Sequence, residues 1–152
     1  MKIEDWPEEY QLRTVFQRLS EEDKDRWVTS AVMGLDVAAA ELWNPTDCLD
    51  DASKVVNRIY SQDLEEPFAK ALRGYADDQD ALLAAYGGSS QTDTFSKLQV
   101  ISMLNCRPET ICLAALSAIA YKERSVKKVI EGFEPAAEVY RKPISGDSDQ
   151  ES

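Results

Sequence analysis

Apolar side chains recur at helical spacing along nearly the whole chain, and no stretch shows the alternation of a half-buried strand. Leu12, Val15, Phe16 and Leu19 fall at i, i+3, i+4 and i+7, one face of a helix expected from about Pro7 to Leu19. Pro7 stands where a first-turn proline costs little, and Glu8 and Glu9 suit the positive end of the helix dipole. Ser20-x-x-Asp23 is a capping-box variant that starts a second helix. Its stripe of Val28, Ala31, Val32, Leu35, Ala39 and Leu42 is widened by Trp27, Met33, Val37 and Ala38. It predicts one long helix to about Trp43, stopped by Asn44-Pro45 and placed at the centre of the fold.

A third helix is expected from Asp47, with Asp50 three residues on, to about Tyr60 along Leu49, Ala52, Val56 and Ile59. A fourth begins near Asp63–Pro67 on Phe68, Leu72, Tyr75, Gln79, Leu82 and Tyr86 and stops at Gly87. Its outer side, from Glu65 to Tyr86, reads as an acidic wall. A fifth covers about Asp93–Leu104, and Pro108 begins a sixth. From Ile111 to Tyr121 that helix is apolar on every side, which predicts burial on every side. It is expected to run past Lys122 on Val126, Val129, Ile130 and Phe133 until Gly132 and Pro135 break it, before a short Ala136–Lys142 helix. The fold class is all-α: a compact bundle of six or seven helices over residues 1–142, with a disordered acidic tail over 143–152.

Composition narrows the class. The 152 residues are 43% hydrophobic and 30% charged, a soluble globular profile, and no apolar run approaches the roughly 20 residues needed to span a bilayer. The acidic start "MKIEDWPEEY" is unlike a secretory leader, and Cys48, Cys106 and Cys112 read as free thiols of a reducing compartment. A cytoplasmic protein is expected.

The chain contains no histidine, which excludes Ser-His-Asp and Cys-His catalysis and histidine-ligated zinc. Three cysteines are one short of a Cys₄ zinc site, and no glycine-rich phosphate loop occurs. No catalytic residue, metal or cofactor is assigned, and the chain is read as a non-enzyme.

Net charge is −11 and uneven. Residues 1–96 carry 20 acids and 9 bases, whereas residues 97–142 carry 5 acids and 8 bases. In "YADDQD", residues 75–80, a 100° step per residue turns Asp77 and Asp80 to solvent together and leaves Asp78 at the edge. A hard cation needs six or more oxygens, so two convergent acids on a helix read as a solvated face. A large acidic face repels phosphates and favours basic partners.

The expected function is that of a small acidic binding or inhibitor protein, of the immunity-protein or DNA-mimicking phage-inhibitor type, facing a basic site on a partner protein. Asp63, Glu65, Glu66, Asp77 and Asp80 are its candidate carboxylates, and Trp6, ahead of the first helix, a candidate hot-spot anchor. Trp27 and Trp43 lie beside stripe positions and read as core. Lys122, Arg124, Lys127 and Lys128 read first as a cationic helix end and second as an anion or partner contact. Lys97–Leu116 looks like two helices joined by a turn, but the second is too apolar for a DNA groove, and no direct nucleic-acid or membrane contact is expected. A Mg²⁺-dependent all-α nucleotide hydrolase is one alternative, on Glu65-Glu66 and Asp77-x-x-Asp80, although no E-x-x-E stands with an E-x-x-D at matching distance. A homodimeric structural or regulatory protein is the other, a monomer being favoured narrowly over a symmetric dimer.

Overall fold

The residue run that follows Pro108 becomes the axle of the molecule. In a computed structural model, which describes residues 2–75 and 107–142, it forms the helix Pro108–Glu123. Ahead of it come α1 (Glu8–Arg18), α2 (Glu21–Ala31), α3 (Leu49–Ser61) and α4 (Glu65–Tyr75), so the axle is α5. Two short helices, α6 (Val126–Glu131) and α7 (Glu134–Arg141), close the described chain. Short 3₁₀ turns cover Ile3–Asp5 and Val37–Leu42, and the described residues contain no strand. The fold is all-α.

Every side chain of α5 from Ile111 to Ala120 is buried except Ser117, which is half-buried. The helix packs against α1, α2, α3, α4 and α6, and its four alanines let those neighbours come close. Alpha-4 lies along it most extensively, burying Phe68 and Leu72, while α3 contributes Ala52, Val55, Val56 and Ile59. Each large aliphatic side chain removed from water in this way contributes about 1.5–3 kcal/mol.

Alpha-1 buries the expected Leu12, Val15 and Phe16. Ser20 caps α2 as its spacing predicts, its hydroxyl accepting from the Asp23 N–H at 3.2 Å. Trp27, fully buried, stacks on Phe133 with ring centres 5.9 Å apart and tilts against Phe16 at 6.3 Å. Lys24 is also buried. Its ammonium lies 5.2 Å from the Phe16 ring centre and pairs with Glu109 at 3.0 Å, tying α2 to the first turn of α5.

Three helix boundaries differ from those expected. Alpha-2 ends at Ala31, not Trp43, because Gly34 takes a left-handed φ of +69° and turns the chain. The wide turn is held by Met33 N–H to the Val28 carbonyl and Leu35 N–H to the Thr29 carbonyl. Beyond it Leu35, Val37 and Leu42, expected as core stripe, emerge 51%, 41% and 86% exposed. Asp36, not a helix interior, begins the 3₁₀ turn by accepting from the Ala38 N–H at 2.9 Å.

Alpha-3 starts at Leu49 with no side-chain cap, and Leu49 itself is exposed. Asp51 instead accepts from the Asn44 N–H at 2.8 Å, which lowers its carboxyl below the usual value. The helix expected to run past Lys122 is two helices. Arg124 adopts φ +59°, and the Ser125 hydroxyl caps α6 by accepting from the Lys128 N–H at 3.1 Å. Val129, Ile130 and Phe133 are buried all the same. The extension of the fourth helix to Gly87, the Asp93–Leu104 helix, Cys106 and the tail from 143 lie outside the described residues.

Candidate functional site

Two buried polar knots fix the frame without forming a reactive site. In the first, the Thr46 N–H and hydroxyl both donate to one oxygen of Asp25, at 3.0 and 2.7 Å. Burial raises the Asp25 carboxyl above its ordinary value against these bonds, and the Asp47 and Asp51 charges push the same way. The Thr29 hydroxyl donates to the Asp25 carbonyl at 2.7 Å and accepts from Trp43 Nε1 at 2.8 Å. Cys112 donates its thiol to the Pro45 carbonyl at 3.3 Å. Burial, then the Asp25 and Glu109 charges, pushes that thiol well up, the setting of an inert cysteine.

In the second knot, Gln11 Nε2 donates to the carbonyls of Trp6 (2.7 Å) and Glu4 (3.2 Å) while its oxygen accepts from the Tyr140 hydroxyl at 3.1 Å. Trp27 Nε1 is buried without an acceptor among the described residues. Left unmet, such a buried donor costs about 1–3 kcal/mol, and Trp27 lines a cleft of about 290 Å³ together with Ser30, Ile119 and Glu123.

The surface is more informative where α5 comes out of the core. Tyr121, at the end of the apolar run, is 69% exposed, against the burial its position predicts. On one side of it lies a cleft of about 560 Å³ lined by Asp63, Glu66, Pro67, Lys70 and Ala71 together with Ser117 and Tyr121. Asp63 sits at φ +59° between α3 and α4, a conformation aspartate tolerates better than most residues. Glu65 and Glu66 occupy the first turn of α4, where the helix dipole favours acids. All three carboxylates are exposed, and none has an ion-pair partner among the described residues. By contrast Glu22, Asp23, Asp51, Glu109, Glu123 and Glu131 are all paired with lysine or arginine.

On the other side of Tyr121 a second cleft of about 630 Å³ has Leu12, Ala120 and Val126 in its lining. Tyr75 and Ser117, also in the lining, share a hydrogen bond of 2.7 Å, and burial raises the Tyr75 phenol despite that bond and the Arg13 guanidinium 5.9 Å from its ring centre. Lys122, Arg124 and Glu8 supply its charges. Lys122 donates to Gln62 Oε1 at 2.7 Å and so ties the end of α5 to the α3–α4 junction. Lys128 pairs with Glu123 at 3.0 Å, whereas Arg124 and Lys127 have no ion pair among the described residues. The two clefts share Ser117 and Tyr121, and the exposed Tyr121 stands between them.

Of the sequence-derived candidates, Asp63 and Glu66 line the first cleft, and Glu65 stands next to them in the first turn of α4, outside its lining. Asp77 and Asp80 lie outside the described residues. Trp6 is half-buried beside the Gln11 knot and lines neither cleft. Tyr121, Lys122 and Arg124 join the site from the far end of the sequence. Among the described residues no group of three or more cysteine, aspartate or glutamate side chains converges as metal ligands, and no helix is long and apolar enough to cross a membrane. No protein-family model matches the chain, and no curated protein or solved structure resembles it at a significant level.

Proposed function

We propose that the protein is a small, acidic, non-enzymatic binding protein that offers the carboxylates of the α3–α4 corner to a basic site on a partner protein, in the manner of an immunity protein or other acidic inhibitor. The observation that carries this reading is that Asp63 and Glu66 stand exposed in one cleft with the exposed Tyr121 ring, with Glu65 exposed next to them in the first turn of α4, and that none of the three has an ion pair among the described residues. Unpaired carboxylates are free to meet lysine or arginine from outside, and a tyrosine beside them offers a ring face to the same cation. Tyrosine and arginine are the residues over-represented at binding hot spots.

The test compares two immobilised forms of the chain, wild type and a variant with Asp63→Asn, Glu65→Gln and Glu66→Gln. The expected result is a basic protein that the wild type retains at low salt, releases at high salt, and that the neutralised variant fails to retain. If the two forms retain the same proteins, the corner only solubilises the chain.

A further inference from the structure

We propose that the α2–α3 connection, residues 35–51, is a docking surface for a partner-protein segment that interleaves leucine-like side chains with lysine or arginine. None of these residues lines either cleft beside Tyr121. Six large apolar side chains are exposed among the described residues, and four of them, Leu35, Val37, Leu42 and Leu49, stand in this one connection. Single exposed leucines are ordinary, but such a concentration marks a surface that something covers. The backbone beneath it is fixed. Trp43 is held on Thr29, Thr46 on Asp25 and the Asn44 N–H on Asp51. The apolar side chains are thus presented in place, and covering them costs little further ordering.

Charge decides what covers them. Residues 35–51 contain five acids, Asp36, Glu41, Asp47, Asp50 and Asp51, and no base. Two bases reach the edge from α3: Lys54 pairs with Asp51 at 3.4 Å, and Arg58 donates to the Val32 carbonyl at 3.4 Å. Counting both, the surface keeps a net −3. The other four acids are exposed and have no ion pair among the described residues. A second copy would set −3 against −3 across a two-fold axis, and an anionic membrane or a nucleic acid is repelled in the same way. A segment that carries both apolar and cationic side chains buries the leucines and meets the acids at once.

The experiment titrates the full chain, at about 0.15 M salt, into a labelled synthetic peptide with leucine at helical spacing among lysines, and reads fluorescence anisotropy. Wild type is expected to bind it, and Leu42→Ser combined with Leu49→Ser to raise the dissociation constant at least about tenfold. A second peptide, with serine in place of every leucine, keeps the charge and is also expected to bind at least about tenfold more weakly. The variant neutralised at Asp63, Glu65 and Glu66 is expected to bind the leucine–lysine peptide as wild type does, so failure here and failure of the α3–α4 corner are told apart. Both leucines are exposed, and melting curves matching the wild type confirm that the double variant folds. The serine peptide asks the same question of the unaltered chain. The proposal is overturned if wild type does not bind the leucine–lysine peptide, or if serine in either the chain or the peptide leaves the affinity unchanged. It is equally overturned if the corner variant loses as much affinity as the leucine variant.

Discussion

Leu113-Ala114-Ala115-Leu116 in α5 and Val37-Ala38-Ala39-Ala40-Glu41-Leu42 after α2 are close in composition and opposite in fate. The first is buried on all sides, and the second contains no buried residue at all. Composition does not separate them. The difference is that α5 keeps its helical register between walls supplied by five other helices, whereas Gly34 ends the register of α2 before the second segment begins. What anchors the α2–α3 connection is its polar and aromatic residues: Thr46 on Asp25, Trp43 on Thr29, and the Pro45 carbonyl on Cys112. Beyond Gly34 its large aliphatic residues, Leu35, Val37 and Leu42, face out. Apolar patterning forecasts burial only while the backbone that carries it stays regular.

The largest contrast should appear on truncating leucines. Leu116→Ala should cost about 2–5 kcal/mol in urea unfolding, through lost burial and a residual cavity. Leu42→Ala, at an exposed position, should stay within about 0.5 kcal/mol. Losses of similar size would mean that the 3₁₀ segment is covered after all.

Next comes the Asp25 clamp. Asp25→Ala leaves the Thr46 N–H and hydroxyl buried without their acceptor and should cost about 1–3 kcal/mol. Asp25→Asn keeps an acceptor oxygen and loses the buried charge, so at neutral pH it should match the wild type or exceed it. The pH dependence has a definite sign. The folded carboxyl lies above its ordinary value, so the native state binds the proton more readily than the unfolded chain does. The penalty carried by ionised Asp25 is full above the folded value and fades as pH falls through it toward the ordinary value. The stability of wild type relative to Asp25→Asn should therefore rise on acidification. A relative fall would show that the Thr46 bonds outweigh burial.

The smallest effects come from two glycines and differ in sign. Gly34→Ala places a Cβ at φ +69° and should cost about 1–2 kcal/mol. Gly74→Ala, inside α4 with no atom of the described residues near the added Cβ, should gain about 0.5–1 kcal/mol. A continuous helix from Ser20 to Trp43 would make both substitutions stabilising, so thermal melts of the pair decide between the two structures.

Much of the frame is legible in the amino-acid order because it depends on local pattern. The α1 stripe, the Ser20 cap, the proline start of α5 and the apolar girdle after it as far as Ala120 survive folding as read. The misread boundaries turn on residues whose sequence signal is ambiguous. Gly34 fits a helical stripe as easily as it ends one, and Arg124 is a residue type seldom found at positive φ. Ser125-x-x-Lys128 does hold a cap signal, weaker than Ser20-x-x-Asp23 because no acid stands at its third helical position. At the candidate site the carboxylates of the α3–α4 corner were visible as charge. Lys122 and Arg124 were visible as a basic cluster, but the closeness of these residues and Tyr121 to the acidic corner was not, because only the packing of α4 along α5 brings residues so far apart in the chain together.

The central claim is that the exposed carboxylates Asp63, Glu65 and Glu66 recognise a basic partner. Its most direct test is the association rate of a captured partner with wild type and with the triple neutralised variant, from about 0.05 M to about 0.5 M salt. The account predicts that the wild-type rate falls at least about tenfold over that range, and that the variant at low salt already shows the slow rate. Equal rates for both forms at every salt concentration would contradict it.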